Sequence, residues 1–387
     1  MAKSTYPVEF RRKFVEGWSR HEGTFEEYCS LFGVSRETGY EWRARFEAYG
    51  VAGLEDLSSA PRHCPHETPL AIREFVIAAR KLHPTWGPRK LRPWLLENNP
   101  HLKLPQPSTI GDILSRNGLI QPRKRRRHTP PSPRPFVVAE APNDVWTVDF
   151  KGQFRMGDSR LCYPLTLADA FSRFLLRCDA YHHPTEELTR KSFEAAFRTY
   201  GLPRVIHSDN GSPFASTAPG GLSRLSVWWV HLGILPERSW PGRPADNGRH
   251  ERMHRTLKAE ATQPSRAHLG AQQRAFTRFQ HEYNWDRPHQ ALAQEPPGRH
   301  YAASPRPYPR RLPEIVYSDQ HEQRIVNQSG HIKWRGKSFF LTEVLAGEVV
   351  GLLVVADELA EVYFGPILLG RIDRVRAELG LIRPPRR

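Results

Sequence analysis

The sequence predicts a multidomain chain in three textures: N-terminal all-α helix-turn-helix modules, a central α/β domain with a mixed sheet, and a C-terminal small β-barrel. Two observations lead there. Helix start and stop signals come in two sets of three before residue 120, and from Asn143 the chain changes to short apolar runs punctuated by Gly and Asp. The 387-residue length adds a third, since it argues for several modules of about 100 to 150 residues over one core. The expected domains are 1–60 and 66–120 (helical), 121–142 (linker), 143–301 (central) and 310–387 (β).

In the first module, Pro7 opens a helix whose Phe10, Phe14 and Trp18 form an apolar stripe. Thr24 and Glu27 have capping-box spacing, Gly33 breaks the second helix, and Ser35 caps the third. In a helix-turn-helix the start of the last helix enters the major groove, which makes Arg36, Thr38, Tyr40 and Arg43 the candidate DNA contacts. A helical hairpin with a solvated basic face has the same pattern. The second trio is predicted to start at Thr68 and Pro69, at Pro88 and at Ser108, to stop at Gly118, and to be kinked by Pro93. Residues 121–135 hold six Lys or Arg, five Pro and no acid, so they read as an extended basic tether. Arg123, Lys124, Arg125, Arg126 and Arg127 would follow phosphates there.

"DVWTVDF", "LCYPLTLADA" and "SRFLLRCDA" read as three strands, "PTEELTRKSFEAAFRTYG" as a helix and "PRVIHSD" as another strand. The segment to about Tyr301 is mostly helical, and the last 75 or so residues return to strands.

A net charge of +16 with no acidic half points to a polyanionic partner, double-stranded DNA above all. No apolar run suits a membrane span and "MAKSTYPVEFRRKF" has no signal-peptide pattern, so the expectation is a soluble, cytoplasmic protein with no membrane partner. Cys29, Cys64, Cys162 and Cys178 are too scattered for a zinc site or a disulfide scaffold, and His63, Cys64 and His66 lack a matching pair.

Asp149 closes the first central strand, and Asp209 closes "RVIHSD" just before an Asn-Gly turn. If the strands are neighbours the two acids meet, and a divalent metal is the natural way to keep both ionised. A helix capped by Asn247 would put Glu251, His254, Arg255 and Lys258 on one polar face, the last three as candidate phosphate contacts, and turn Met253 and Leu257 inward. Glu251 is then the better third ligand, because Asp246 precedes the cap and Glu260 lies on a different face. Three carboxylates suit two Mg²⁺ ions, with Mn²⁺ as a substitute, for in-line phosphoryl displacement. The bland alternative makes Asp149 and Asp209 turn residues and Glu251 an ion-pair partner of Arg255. Asp158, Asp169, Asp179 and Glu194 read as turn or surface residues.

"DVWTVDF", "GLPRVIHSDNGSPF", "WPGRPADNGRHERMHRTLKAE" and "YNWDRPHQALAQEPPGRHY", in this order, resemble bacterial insertion-sequence transposases with a retroviral-integrase-type core. The resemblance covers roughly residues 7 to 301. It implies an RNase H-like fold, a DDE triad at Asp149, Asp209 and Glu251, and N-terminal modules that bind the element's terminal inverted repeats. Two departures stand out. The 41 residues between Asp209 and Glu251 exceed the usual interval, the excess being placed in "STAPGGLSRLSVWW" as a short insertion, and the zinc-binding His and Cys pattern of retroviral integrases is absent. The C-terminal segment resembles the small barrel after many integrase cores, with His331, Lys333 and Arg335 alternating on one strand face as phosphate contacts or as a solvated surface.

The expected function is therefore a DDE transposase that binds transposon ends and carries out Mg²⁺-dependent 3′-end cleavage and strand transfer into target DNA, as a homo-oligomer in the bacterial cytoplasm. The rivals are a non-catalytic DNA-binding regulator, a nuclease of RNA/DNA hybrids and an architectural nucleoid protein.

Overall fold

The structure is a computed structural model that describes residues 6–57, 67–120, 137–239, 248–376 and 380–383. The expected tether residues Arg123 to Arg127, the His63, Cys64 and His66 group, and Asp246 and Asn247 lie outside the described residues. The chain forms two compact units, Met1–Thr68 and Pro69–Arg387.

The first unit holds α1 (Val8–Trp18), α2 (Phe25–Leu31) and α3 (Arg36–Tyr49). Thr24 and Glu27 exchange the two bonds of a capping box, and Ser35 accepts from the Thr38 N–H. Gly33 takes φ 64° in the turn between α2 and α3, a conformation most side chains avoid. Phe14, Phe25, Tyr28, Cys29, Val34 and Trp42 form the core. Gly39 lets α3 approach it, because a Cβ there would lie 2.9 Å from Cys29 Sγ and 3.0 Å from the Phe14 ring.

The second unit begins with α4 (Leu70–Leu82), α5 (Pro88–Asn98) and α6 (Pro107–Arg116). They close over Val76, Trp86, Leu91, Leu95, Ile110 and Leu114. Helix α5 runs on through Pro93 to Asn98. The start of α6 differs from expectation by one residue: Pro107, pre-set for the first helical position, begins it and Gln106 precedes it as the cap.

The central sheet comprises β1 (Val145–Phe150), β2 (Phe154–Arg155), β3 (Leu161–Asp169), β4 (Leu175–Tyr181), β5 (Val205–Ser208) and β6 (Leu235–Arg238). β4, β3 and β1 are antiparallel neighbours, β5 joins β1 in parallel, β6 joins β5 in parallel, and β2 pairs with the start of β3. This is the mixed sheet the apolar runs predict. Helices α7 (Glu186–Tyr200) and α8 (Arg224–His231) cover one face, burying Phe193, Phe197, Trp228 and Trp229 against Trp146 and Val148. Helices α9 (Gly248–Leu257) and α10 (Leu269–Trp285) cover the other, with Met253, Leu257, Phe276 and Phe279 on Cys162, Leu175 and Cys178. Because successive strand residues alternate faces, Thr147 and Asp149 turn away from the α7 and α8 side.

Helix α8 corrects the expectation of a short insertion in 216–229. Ser223 and Ser226 form a capping box, and Trp229 is fully buried, so the second half of that segment is core.

The free edge of β4 is covered by α10 through side-chain amides. Gln273 accepts from Ala180 N at 2.8 Å and donates to Cys178 O at 3.0 Å. Gln280 donates to Leu175 O and Leu176 O, and Asn284 bonds both backbone groups of Leu175 at 2.8 and 2.9 Å.

The C-terminal region holds β7 (His321–Ile325), β8 (His331–Trp334), β9 (Lys337–Phe340), β10 (Val349–Ala356), β11 (Leu359–Phe364) and β12 (Ile367–Asp373). The expected small β-barrel is present as antiparallel sheets, with no closed sheet among the described residues. Strands β12, β11, β10 and β7 make an open antiparallel sheet, β8 and β9 a separate hairpin, and only the isolated bridges of Gly380 to Phe340 and Ile382 to Arg371 span the gap. The sheet shares one hydrophobic core with Leu222, Val227 and Val230 at α8, and Glu348 bonds His231 at 2.7 Å.

Candidate active site

Strands β1 and β5 set the distance between two of the acids. They run parallel with Val145 beside Val205 and Thr147 beside His207, and the same register continued brings Asp149 level with Asp209. Asp209 follows the last residue of β5 and accepts the Gly211 N–H at 3.0 Å, which fixes its carboxylate in the turn. The third acid comes from the helix that lies over this edge: Glu251 is exposed in the first turn of α9.

The electrostatics tie the three together. Burial pushes the Asp149 carboxyl up to about 7, the negative charges of Asp209 and Glu251 push the same way, and a hydrogen bond from the Phe150 N–H opposes them. A cluster of carboxylates that raises its own proton affinity suits a divalent cation, and the donor set is all oxygen, as Mg²⁺ prefers. The residues therefore fit the metal, although among the described residues no three His, Cys, Asp or Glu side chains already stand close enough together to hold one.

Helix α9 is pinned to the sheet by a buried polar network. Thr166 on β3 gives its hydroxyl proton to the Asp149 carbonyl at 3.1 Å, and its oxygen lies 2.7 Å from Nε2 of both His250 and His254. His250 Nδ1 lies 3.0 Å from Thr147 Oγ1. A hydroxyl has one proton and two lone pairs, so both imidazoles donate to Thr166 through Nε2. Burial holds both rings neutral, His250 at about 3 and His254 at about 2. The 3.8 Å approach of His254 Nδ1 to Asp149 Oδ2 is therefore not an ion pair.

Comparison with known proteins bears on this geometry. Residues 139–244 and 232–297 match two family models, each described as an integrase core domain. The central domain is an integrase core. Residues 10–62 match a helix-turn-helix domain and 38–114 a homeodomain-like domain. An uncharacterised 39.2 kDa protein of insertion element IS476 from Xanthomonas euvesicatoria is 25% identical over 293 residues, 74% of this chain and 80% of that one. The Gag-Pol polyprotein of baboon endogenous virus is 32% identical over 232 residues, 59% of this chain, and the chain spans only 13% of that polyprotein's length. Among solved structures, the HTLV-2 integrase catalytic core in complex with magnesium aligns with 43% of this chain and all of its own, at 16% identity and TM-score 0.34. A simian T-cell lymphotropic virus intasome in complex with a PP2A regulatory subunit covers 76% of this chain and 97% of its own, at 16% identity and TM-score 0.37.

Around the integrase core's acids, α9 separates the residues expected to touch DNA. Arg255 and Lys258 are exposed, with no acid at ion-pair distance among the described residues. His254 departs from that expectation: it is turned inward, 9% exposed, and spends its Nε2 on Thr166. Spacing alone missed this, because Thr166 comes from β3. It also missed Lys151, just past β1, which lies within electrostatic reach of both Lys258 and His254.

The other candidates are dispersed. Arg36 pairs with Glu26 at 3.2 Å and Arg43 with Glu47 at 2.8 Å, Thr38 shares a bond with Ser35, and exposed Tyr40 packs on Phe25. Lys333 is exposed opposite Ser338, but Arg335 is not on that strand face. It takes φ 45° in the turn after β8, lies over Trp334 and donates to the Asp357 carbonyl. Asp169 and Asp179 are buried and structural: Asp169 anchors the turn at Ser172, and Asp179 pairs with Arg177 and accepts from Ser192.

Proposed function

We propose that the protein is a DDE transposase that binds the terminal inverted repeats of its element and performs Mg²⁺-dependent 3′-end cleavage followed by strand transfer into target DNA. The observation that carries this reading is the β1 and β5 register that brings Asp149 level with Asp209, with Glu251 close enough to raise Asp149's proton affinity. The integrase-core matches and the similarity to an insertion-element protein support it. The helix-turn-helix matches and the net charge of +16 supply the DNA partner.

Asp149, Asp209 and Glu251 would hold the metal. Bound divalent ions supply activation of a water or a 3′-hydroxyl and stabilisation of the departing oxygen. The chain's own part would be positional: β1 and β5 fix two carboxylates, Thr166 and the two imidazoles hold α9 beside them, Glu251 would complete the set, and Arg255 and Lys258 would grip the phosphates alongside. No side-chain nucleophile is required, since hydroxyls of water and DNA attack in turn. The protein acts as a multimer on DNA in the bacterial cytoplasm. No described helix is long and apolar enough to cross a membrane.

The test is cleavage and joining of duplexes carrying the flanking terminal repeats, with Mg²⁺ or Mn²⁺. Asp149→Asn, Asp209→Asn and Glu251→Gln should each abolish both reactions while end binding stays within about twofold. Joining by all three variants sinks the assignment, and end binding by the wild type without nicking in either metal favours a regulator.

A further inference from the structure

Strand β1 and helix α9 lie side by side, and their contacts come at regular intervals. On β1 the residues that face α9 are Thr147 and Asp149, and the next on that face is Lys151. The ladder with β3 continues that far: the Lys151 N–H donates to the Pro164 carbonyl at 3.0 Å, one step past the pairing of Phe150 with Leu165. On α9 the buried row is His250 and His254, four residues apart, and the next in that row is Lys258, which opens a π-helical turn, Lys258–Thr262. A step of two residues along a strand covers about 6.7 Å and a step of four along a helix about 6 Å, so the two rows stay nearly in step.

Two rungs are visible as contacts. His250 Nδ1 lies 3.0 Å from Thr147 Oγ1, and His254 Nδ1 lies 3.8 Å from Asp149 Oδ2. The third rung sets Lys258 beside Lys151, cation against cation. In keeping with this, burial and then the charge of Lys258 pull the Lys151 ammonium below its usual value. Among the described residues neither lysine has an acid at ion-pair distance. The nearby acids have other roles: Asp149, Asp209 and Glu251 make the carboxylate cluster, and Glu260 is engaged by Arg287 and Thr85. Lys151 is half-buried and Lys258 exposed, so an anion can reach them from solvent. Two ammonium groups held close together are unfavourable until an anion joins them.

We infer that Lys151 and Lys258 clamp one backbone phosphate of the reacting DNA strand, next to the phosphate that the metals hold. One rung, about 6 to 7 Å, separates the pair from Asp149, which suits a neighbouring phosphate better than the metal-bound one. A lysine ammonium is a compact point charge on a flexible stem, so two of them can close on a phosphate from the strand side and the helix side together. The clamp rests on the proposed function for its occupant, and it adds Lys151 to the residues that touch DNA. Its consequence is specific: the strand is held at a fixed step from the carboxylates, by the same two elements that carry Asp149 and Glu251.

The experiment is binding of the full chain, with Ca²⁺ in place of Mg²⁺, to fluorescent terminal-repeat duplexes followed by anisotropy. In each duplex one phosphate around the expected cleavage point is replaced by a neutral methylphosphonate. For the wild type one such position should weaken binding about fivefold. Lys151→Gln and Lys258→Gln should each lose most of that sensitivity at the same position and keep it elsewhere, and Lys151→Arg should retain it. Native far-ultraviolet circular dichroism and unfolding midpoints establish that the variants fold. Wild-type sensitivity at every position in Lys151→Gln overturns the clamp, and so does coupling of the two lysines to phosphates far apart. A loss spread evenly over all positions also overturns it, as the diffuse effect of one charge fewer. Because the readout needs no catalysis, a wild type that shows the coupling but never cleaves in Mg²⁺ would refute the proposed reaction and leave the clamp standing; wild-type cleavage without the coupling would refute the clamp alone.

Discussion

At the residue scale, Thr166 organises more of the site than its place in a strand suggests. One hydroxyl serves two buried imidazoles and the Asp149 carbonyl, so it ties β1, β3 and α9 together at a single atom. Thr166→Val keeps the shape but leaves both imidazoles short of a partner. A buried polar group without its bond costs about 1 to 3 kcal/mol. The expected loss is therefore about 3 kcal/mol by urea denaturation, with Thr166→Ser recovering most of it; a midpoint within error of the wild type would contradict the network. The sequence made Asp149 and Asp209 stand out because each closes an apolar strand, where a lone carboxylate is conspicuous, and singled out Glu251 by its place on the polar face of the helix that follows. It misplaced His254 for the converse reason. A histidine on a polar helix face looks solvent-facing until the strand that receives it is known.

Elements were legible to the extent that their signals are local. The Thr24 and Glu27 capping box, Ser35 and Gly33 mark α2 and α3 without reference to anything distant. Helix α8 was hidden, since its Ser223 cap follows a run of Pro, Gly and Ser and its two tryptophans can be recognised as core only against α7. The C-terminal strands showed their alternation, but their division into an open sheet and a separate hairpin, with isolated bridges at Gly380 and Ile382, depends on long-range pairings that no local pattern encodes. The role of α10 was equally invisible, as Gln273, Gln280 and Asn284 look like ordinary surface polars. Asn284→Ala leaves the Leu175 N–H without its partner, while Gln280 still serves the Leu175 carbonyl, and should cost about 2 kcal/mol, seen as a lower urea midpoint at unchanged slope. A variant as stable as the wild type would show that this edge does not need its cover.

Across the whole molecule, the C-terminal sheet and the integrase core share side chains, so their stabilities should be coupled. His231 on α8 makes the coupling pH-dependent. Its hydrogen bond to Glu348, with lesser help from the Pro313 carbonyl, raises its pKa above the usual 6.5 against the effect of burial. A histidine whose folded pKa is raised contributes fully below its unfolded value and loses that contribution as pH rises through the folded one. Amide-exchange protection of β7 and β10 should thus be full below pH 6.5 and fall as the pH rises through the raised folded pKa of His231. His231→Gln should start lower and show no such fall; a parallel fall in the variant would assign the effect elsewhere.

The amide row along α10 also constrains how copies of this protein can join. The hydrogen bonds that an incoming strand would need at Leu175, Cys178 and Ala180 are already made within the chain. Growth of the central sheet by edge-to-edge pairing at β4 is closed off, which removes one common route to fibrous aggregation. Protomers that meet on this side must do so through the outer surface of a helix, where contacts form and part without breaking a sheet.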